Sequence, residues 1–345
     1  MMGFIWFWLV AVMIVGYVVL DGFDLGVGIL HLFLARTEQE KRTTLSSIGP
    51  VWDGNEVWLL AAGGTLYFAF PLLYASAFSG FYLPLMIVLW LLILRGISLE
   101  LRNHVEVGVW RKLLDALFGL ASSLLAIFFG AALANVMRGV PLNADGYFFL
   151  PLWTTWTPGT HPGVLDWYTV IGGVVALLAL SLHGALWLTI KASGELEARA
   201  RKLVPLLWVA VVLITGISLL ATIVVRPASV NNYFNYPVTF AIPAGVTLSL
   251  AALWFFNRKG APVKAFLASC LYLFFMLAGA CWSVYPTLLP ATTGAQYDIT
   301  LARALSGDYP LHVGLVWFGI GMALAIGYQV FVYSRFLGKA EVDSH

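Results

Sequence analysis

Charge is what this sequence has least of. Asp, Glu, Lys and Arg make up only 10% of its 345 residues, where a soluble domain carries roughly 25%. Apolar residues make up 61%, and the mean hydropathy is +0.88. That balance excludes a water-soluble globule and implies a chain that crosses a membrane several times. A net charge of +2, with no basic cluster, gives no footing for nucleic acid. Cysteine is nearly absent. The two present, Cys270 and Cys281, lie in one apolar run. On a helix they would be roughly 16 Å apart, too far for a disulfide. They read as packing residues and leave the redox compartment open. Also missing are a C-x-x-C-H pattern, a Walker loop, a dinucleotide fingerprint and zinc-ligand spacing. No nucleophile stands beside a base. The N-terminus has no basic n-region and no small-residue cleavage site, so it reads as a retained first span rather than a signal peptide.

What is present in quantity is long apolar sequence. A membrane-crossing helix needs about 20 mostly apolar residues. Nine stretches qualify, near 4–34, 50–70, 76–98, 113–137, 165–190, 204–226, 237–257, 264–287 and 310–337. They are continuous, without period-two alternation, which favours helices over strands. The predicted fold is therefore all-α, a polytopic integral membrane protein with a single membrane domain over 1–345. A faint repeat links "LDGFDLGVGILHLFLAR", followed by "PVW", to "LHGALWLTIK", followed by "PLLW". It suggests two related four-helix bundles with the ninth helix peripheral. The connections 138–164 and 288–309 are substantial, but neither is long enough for a soluble domain.

Lys and Arg predict the orientation. Alternate connections are basic, carrying Arg36, Lys41 and Arg42, then Arg95, Arg102, Arg111 and Lys112, then Lys191, Arg199, Arg201 and Lys202, then Arg258, Lys259 and Lys264, with Arg335 and Lys339 in the tail. Only Arg138, Arg226 and Arg303 fall on the other side. The basic side is predicted to be cytoplasmic, with the N-terminus outside and the C-terminus inside.

Against this apolar background four carboxylates stand out. Asp21 and Asp24 lie in the first span; Asp53 and Glu56 open the second, in "GPVWDGNEVWLL". Each pair is spaced i, i+3 and shares a helix face. Both pairs are expected in the cytoplasmic half, on adjacent antiparallel helices. Pro50 suits a first helical turn, and the positive end of that helix would steady Asp53. Ionisable groups inside a membrane usually mark ion or proton paths. The plainer reading is ion pairs that fix helix packing, with Arg95 or Arg102 as partner. Asn55 and the backbone at Gly54 could hold water for a relay, and Trp52 and Trp58 would wall it. His31 and His183 lie in the inner halves of their spans, where a haem could be ligated from two sides. Without a second signature they read as hydrogen-bonding residues. His312 lies near the outer end of the last span.

Four stretches then point to a family. "DGFDLGVG" at 21–28, "GPVWDGNEVWL" at 49–59, "AFSGFY" at 77–82 and "GVPLNADGY" at 139–147 occur in an order that resembles subunit II of cytochrome bd-type quinol oxidases. Glu56, where some members carry Gln, resembles the cyanide-insensitive branch. The resemblance covers essentially the whole chain. It implies a bacterial cytoplasmic (inner) membrane protein paired with a subunit I of similar fold. Subunit I would carry two b-type haems, haem d and the quinol-oxidation loop, and this chain alone would bind none of them. A small single-span subunit is a further candidate partner. The pair would oxidise quinol and reduce dioxygen to water, drawing protons from the cytoplasm. By the same resemblance Asp53 lies on a proton route, Asp21 and Asp24 match other polar motif positions, and Glu100 and Arg102 match an acid–Leu/Tyr–Arg element. Some members hold a structural quinone in this subunit, though no residue here identifies its site. The alternative from another class is a proton-coupled secondary transporter.

Overall fold

The computed structural model describes residues 1–340. Among them the chain is overwhelmingly helical. The helices are α1 (Met2–Leu34), α2 (Glu38–Ser46), α3 (Trp52–Ala69), α4 (Pro71–Gly80), α5 (Tyr82–Leu101), α6 (Gly108–Arg138), α7 (Trp167–Lys191), α8 (Gly194–Val225), α9 (Asn231–Asn235), α10 (Ala241–Arg258), α11 (Pro262–Val284), α12 (Leu301–Ala304) and α13 (Asp308–Arg335). Eight helical segments are long and apolar enough to cross a membrane. The expected second span is α3, which falls outside that set because Asp53, Asn55 and Glu56 occupy its start.

Several sequence expectations need correction. Pro50 is not in the first turn of a helix; it lies in the turn at 47–51, ahead of Trp52. The third span is not one rod from 76. α4 ends at Gly80, the chain breaks at Phe81, and α5 carries the crossing. α8 begins ten residues before the predicted 204, because the charged stretch from Gly194 is itself helical. Arg199, Arg201 and Lys202 therefore project from a helix, and Arg95 lies within α5 rather than in a connection. The first basic connection contains α2, started by a capping box in which Thr37 Oγ1 accepts from the Glu40 amide (3.2 Å) and Glu40 accepts from the Thr37 amide (3.1 Å). The connection after α11 carries a short antiparallel pair, β1 (Thr287–Leu289) and β2 (Ile299–Thr300).

α1 is the central element and packs on α3, α6, α7 and α11. Its crossing with α7 is close because neither helix has a side chain there. A Cβ on Gly26 would lie 2.7 Å from the Gly184 nitrogen, and one on Gly184 would lie 2.5 Å from the Val27 nitrogen. Small residues are what permit such an approach in lipid. The two repeat-like segments thus meet face to face. The main core joins α1 to α6, α7, α8 and α11. A second core, around Trp6, Phe7, Val140, Phe148 and Leu289, closes the end where α1 begins. α13 is peripheral, and Leu311 is its only buried residue.

Candidate functional site

One face of α1 sets the site. Tyr17, Asp21, Asp24, Gly28 and His31 recur at spacings of four and three, which places them in one row. Asp21 and Asp24 are fully buried. Asp21 is held by the fully buried Arg95 of α5 in a two-pronged pair: Nη1 donates to Oδ2 at 2.9 Å and Nη2 donates to Oδ1. The plainer sequence reading, an ion pair with Arg95, describes Asp21.

Asp24, one turn further, has no cationic partner among the described residues. Its Oδ2 accepts from Asn55 Nδ2 at 2.8 Å, and its Oδ1 has no partner among the described residues. Asn55 is the hub of this arrangement. Its amide also donates to the Leu20 carbonyl (3.2 Å), while its Oδ1 accepts from Gln329 Nε2 (2.8 Å) and the Tyr333 hydroxyl (2.9 Å) of α13. Two further buried atoms in this region, the Tyr17 hydroxyl and Arg95 Nε, lack hydrogen-bond partners among the described residues. Unpaired buried polar atoms are rare and commonly mark bound water or function.

The second pair of acids is arranged differently. Asp53 lies in the first turn of α3, as expected, but on its exposed face, and Glu56 is half-buried. The structure brings Asp21, Asp24 and Asn55 together and leaves Asp53 outside that cluster. Trp52 packs against Gly96 and donates from Nε1 to Glu100 at 3.2 Å. Trp58 packs beside Gly16 of α1.

Arg102 belongs to a separate network at the basic end. Asp115 of α6, 2% exposed, accepts four bonds: from His31 Nε2 (2.9 Å), Lys41 Nζ (2.9 Å), Arg102 Nε (2.9 Å) and Arg102 Nη2 (3.2 Å). Arg102 also grips Glu38 at 2.6 and 2.9 Å. Those bonds hold the Glu38 carboxyl below the usual range. Both ring nitrogens of His31 are engaged, the second with Thr44 Oγ1 at 2.6 Å. Both of His183 are engaged too, with Ser269 (2.7 Å) and the Val19 carbonyl (3.0 Å). At the other end Arg138 pairs with buried Asp166 and bonds Asn135 (2.6 Å).

Sequence reasoning missed Asp115, Gln329 and Tyr333. Asp115 carried a usable signal, a lone acid inside an apolar span. Gln329 and Tyr333 carried none, since they reach Asn55 across more than 270 residues of chain.

The architecture and site define a polytopic helical membrane protein with carboxylates buried in its interior. The family model described as "Cytochrome bd terminal oxidase subunit II" matches residues 2–336, and this chain belongs to that family. It is 32% identical to the cytochrome bd-I ubiquinol oxidase subunit 2 of Escherichia coli K12, with 97% of this chain and 94% of that one covered. It is 32% identical to the cytochrome bd ubiquinol oxidase subunit 2 of Bacillus subtilis 168, covering 96% and 95%. Its fold matches a chain of the bd oxidase from Geobacillus thermodenitrificans with a TM-score of 0.76 at 18% identity, covering 97% and 98%. The full-length match sets the transporter alternative aside.

Proposed function

We infer that this chain serves as the second subunit of a terminal oxidase that oxidises quinol and reduces dioxygen to water, in the bacterial inner membrane. The family match over 2–336 carries that reading. Catalysis belongs to the complex, with subunit I as the partner and haems b and d resident in it. What supports that placement is the family match, together with the two histidines buried within spans. His31 and His183 spend both ring nitrogens on protein partners, so neither presents a free nitrogen to iron. Quinol and dioxygen would meet the complex through subunit I.

Nine crossings are our proposal, with α3 as the second despite its polar start. Helices α1, α3, α5 and α6 would form one bundle, and α7, α8, α10 and α11 the other, all within one membrane domain over 1–345. The packing of α1 with α3 and with α6, of α5 with α6, of α7 with α8 and of α10 with α11 supports this grouping. The N-terminus would lie outside and the C-terminus in the cytoplasm.

Within that frame the buried carboxylates would supply protons. Asp24 is the central group. It is enclosed, and among the described residues it has no cationic partner and keeps one oxygen free of donors. Asp21, neutralised by Arg95, would fix α1 against α5 and set the field at Asp24. Asp53 and Glu56 would sit nearer the inner surface, with Asp53 facing the partner subunit, since a carboxylate turned to lipid is expensive. Trp52, Asn55, Glu100 and Arg102 would support them. The deciding experiment is oxygen uptake per haem d in the assembled complex. Asp24→Asn should keep the haems bound and reducible while slowing turnover on the order of 100-fold. Wild-type turnover in this variant would leave Asp24 a packing residue.

A further inference from the structure

At the basic end, a cavity of about 620 Å³ lies between the turn before α3, the ends of α5 and α7, and the segment that follows α13. That size falls in the range of roughly 300–1,000 Å³ found for small-ligand sites. Its charged wall is one-sided. Lys191, Arg335 and Lys339 line it against a single carboxylate, Glu100, which already accepts from Trp52 Nε1 at 3.2 Å.

Two of these cations have donors to spare. Lys191, the last residue of α7, is 9% exposed. Its Nζ donates to the Phe336 carbonyl and lies 5.4 Å from the centre of the Trp187 ring, but it meets no carboxylate among the described residues. A buried charge is costly unless an opposite charge accompanies it, and one backbone carbonyl supplies only a dipole. Arg335, the last residue of α13, lies 5.0 Å from the centre of the Phe331 ring and has no ion-pair partner among the described residues. An ammonium has three donors and a guanidinium five. Lys339 differs, because its Nζ is committed to the Ala192 carbonyl (2.6 Å) and to Glu197 (2.8 Å).

We propose that this cavity binds a phosphate-bearing anion between Lys191 and Arg335, either the headgroup of an anionic phospholipid or free phosphate. The guanidinium fork takes two phosphate oxygens, and the ammonium approaches as a point charge. Basic pockets between helix ends at the membrane surface take anionic headgroups. Leu99 and Leu337 give the same wall apolar surface for the carbons beside such a headgroup. Binding makes and breaks no covalent bond, and it is independent of the role given to Asp24. Its consequence is mechanical. Leu311 is the only buried residue of α13, so the end at Arg335 relies on the segment 336–340, whose Ala340 amide donates to the Lys191 carbonyl at 2.8 Å. The bound anion adds a second tie between α7 and α13, and a ligand that binds only the folded state raises its stability.

The test uses the full complex, purified and stripped of lipid. Its melting temperature is followed while short-chain phosphatidylglycerol is added, and separately inorganic phosphate, with zwitterionic phosphatidylcholine as the control. At least one of the two anions should raise the melting temperature of wild type and reach saturation. In Lys191→Gln and in Arg335→Gln the half-saturating concentration should rise on the order of tenfold, as for the loss of one charge-assisted bond. Lys259→Gln, an exposed cation in the turn after α10, should respond as wild type does. Should Lys191→Gln fail to assemble, the exposed Arg335 carries the comparison alone. A response to phosphatidylglycerol only makes the ligand a lipid; a response to phosphate of the same sensitivity makes it the free ion. The proposal is overturned if neither anion raises the melting temperature, if Arg335→Gln leaves the response unchanged, or if phosphatidylcholine acts equally.

Discussion

Two clusters of buried charge lie on the same face of α1, about two turns apart, and they are built to different standards. Around Asp115 both carboxylate oxygens are spoken for, with donors from α1, α2 and the end of α5. Around Asp24 one oxygen is unpartnered among the described residues, and so are Arg95 Nε and the Tyr17 hydroxyl. A saturated network rigidifies, because every member loses a partner if any one moves. An incompletely paired one retains groups that can bind water or exchange a proton. From this comparison we propose a stabilising role for the Asp115 cluster and proton handling for Asp24. Asp21, paired with Arg95, lies between these extremes.

The largest expected effect comes from opening the Asp21–Arg95 pair. Arg95→Leu leaves Asp21 buried without its cation, and breaking a buried pair in this way costs about 3–5 kcal/mol. The complex should fail to accumulate, measured as haem d per milligram of membrane protein. Removing both partners, in Asp21→Leu with Arg95→Leu, should restore part of the assembly. Should the single variant assemble normally, the pair is not what holds α5 to α1.

Asp115→Asn is expected to come next. It keeps the shape but weakens the bonds from His31, Lys41 and Arg102, at a cost of about 2 kcal/mol, within the range for hydrogen bonds to charged groups. Thermal stability of the purified complex should drop while uptake per assembled haem d stays near wild type. A turnover defect at normal stability would erase the contrast between the two clusters. Asp53→Asn should be milder than Asp24→Asn, because Asp53 lies on the exposed face of α3. Equal defects in both would place them in series on one route.

How much of this the sequence disclosed follows from the range of each interaction. The long apolar runs of α1, α6, α7 and α13 located their helices to within a few residues, because hydropathy is a local property. α2 and the first turns of α8 were missed, since their charged sequences resemble loops and their helicity depends on a capping box in one case and on packing in the other. Asp21, Asp24 and Asn55 stood out as polar groups in apolar surroundings. Their division of roles did not, because it depends on which residue of a distant helix faces each. Arg95 reaches Asp21 and passes Asp24 by. Asp53 and Glu56 share the spacing of the α1 pair, yet the orientation of α3 exposes the first and half-buries the second.

The smallest expected effect sharpens the comparison from the saturated side. Arg102 bonds lower the Glu38 carboxyl below its usual value near 4.5. A carboxyl whose folded value is depressed contributes stability that is fully present above its unfolded value and is lost as pH falls through the folded one. The contribution should therefore be intact at pH 6 and decline below about pH 4.5. Glu38 is 47% exposed, so solvent screens the pair, and its worth stays within the ~0–1 kcal/mol typical of surface ion pairs. Glu38→Gln should lower the melting temperature of the complex slightly at pH 6 and converge with wild type in acid. Salt should shrink the difference at pH 6, because an exposed pair is screened over a Debye length of about 10 Å at 0.1 M. A difference that persists unchanged into acid would mean that Glu38 contributes through packing rather than through its charge on Arg102.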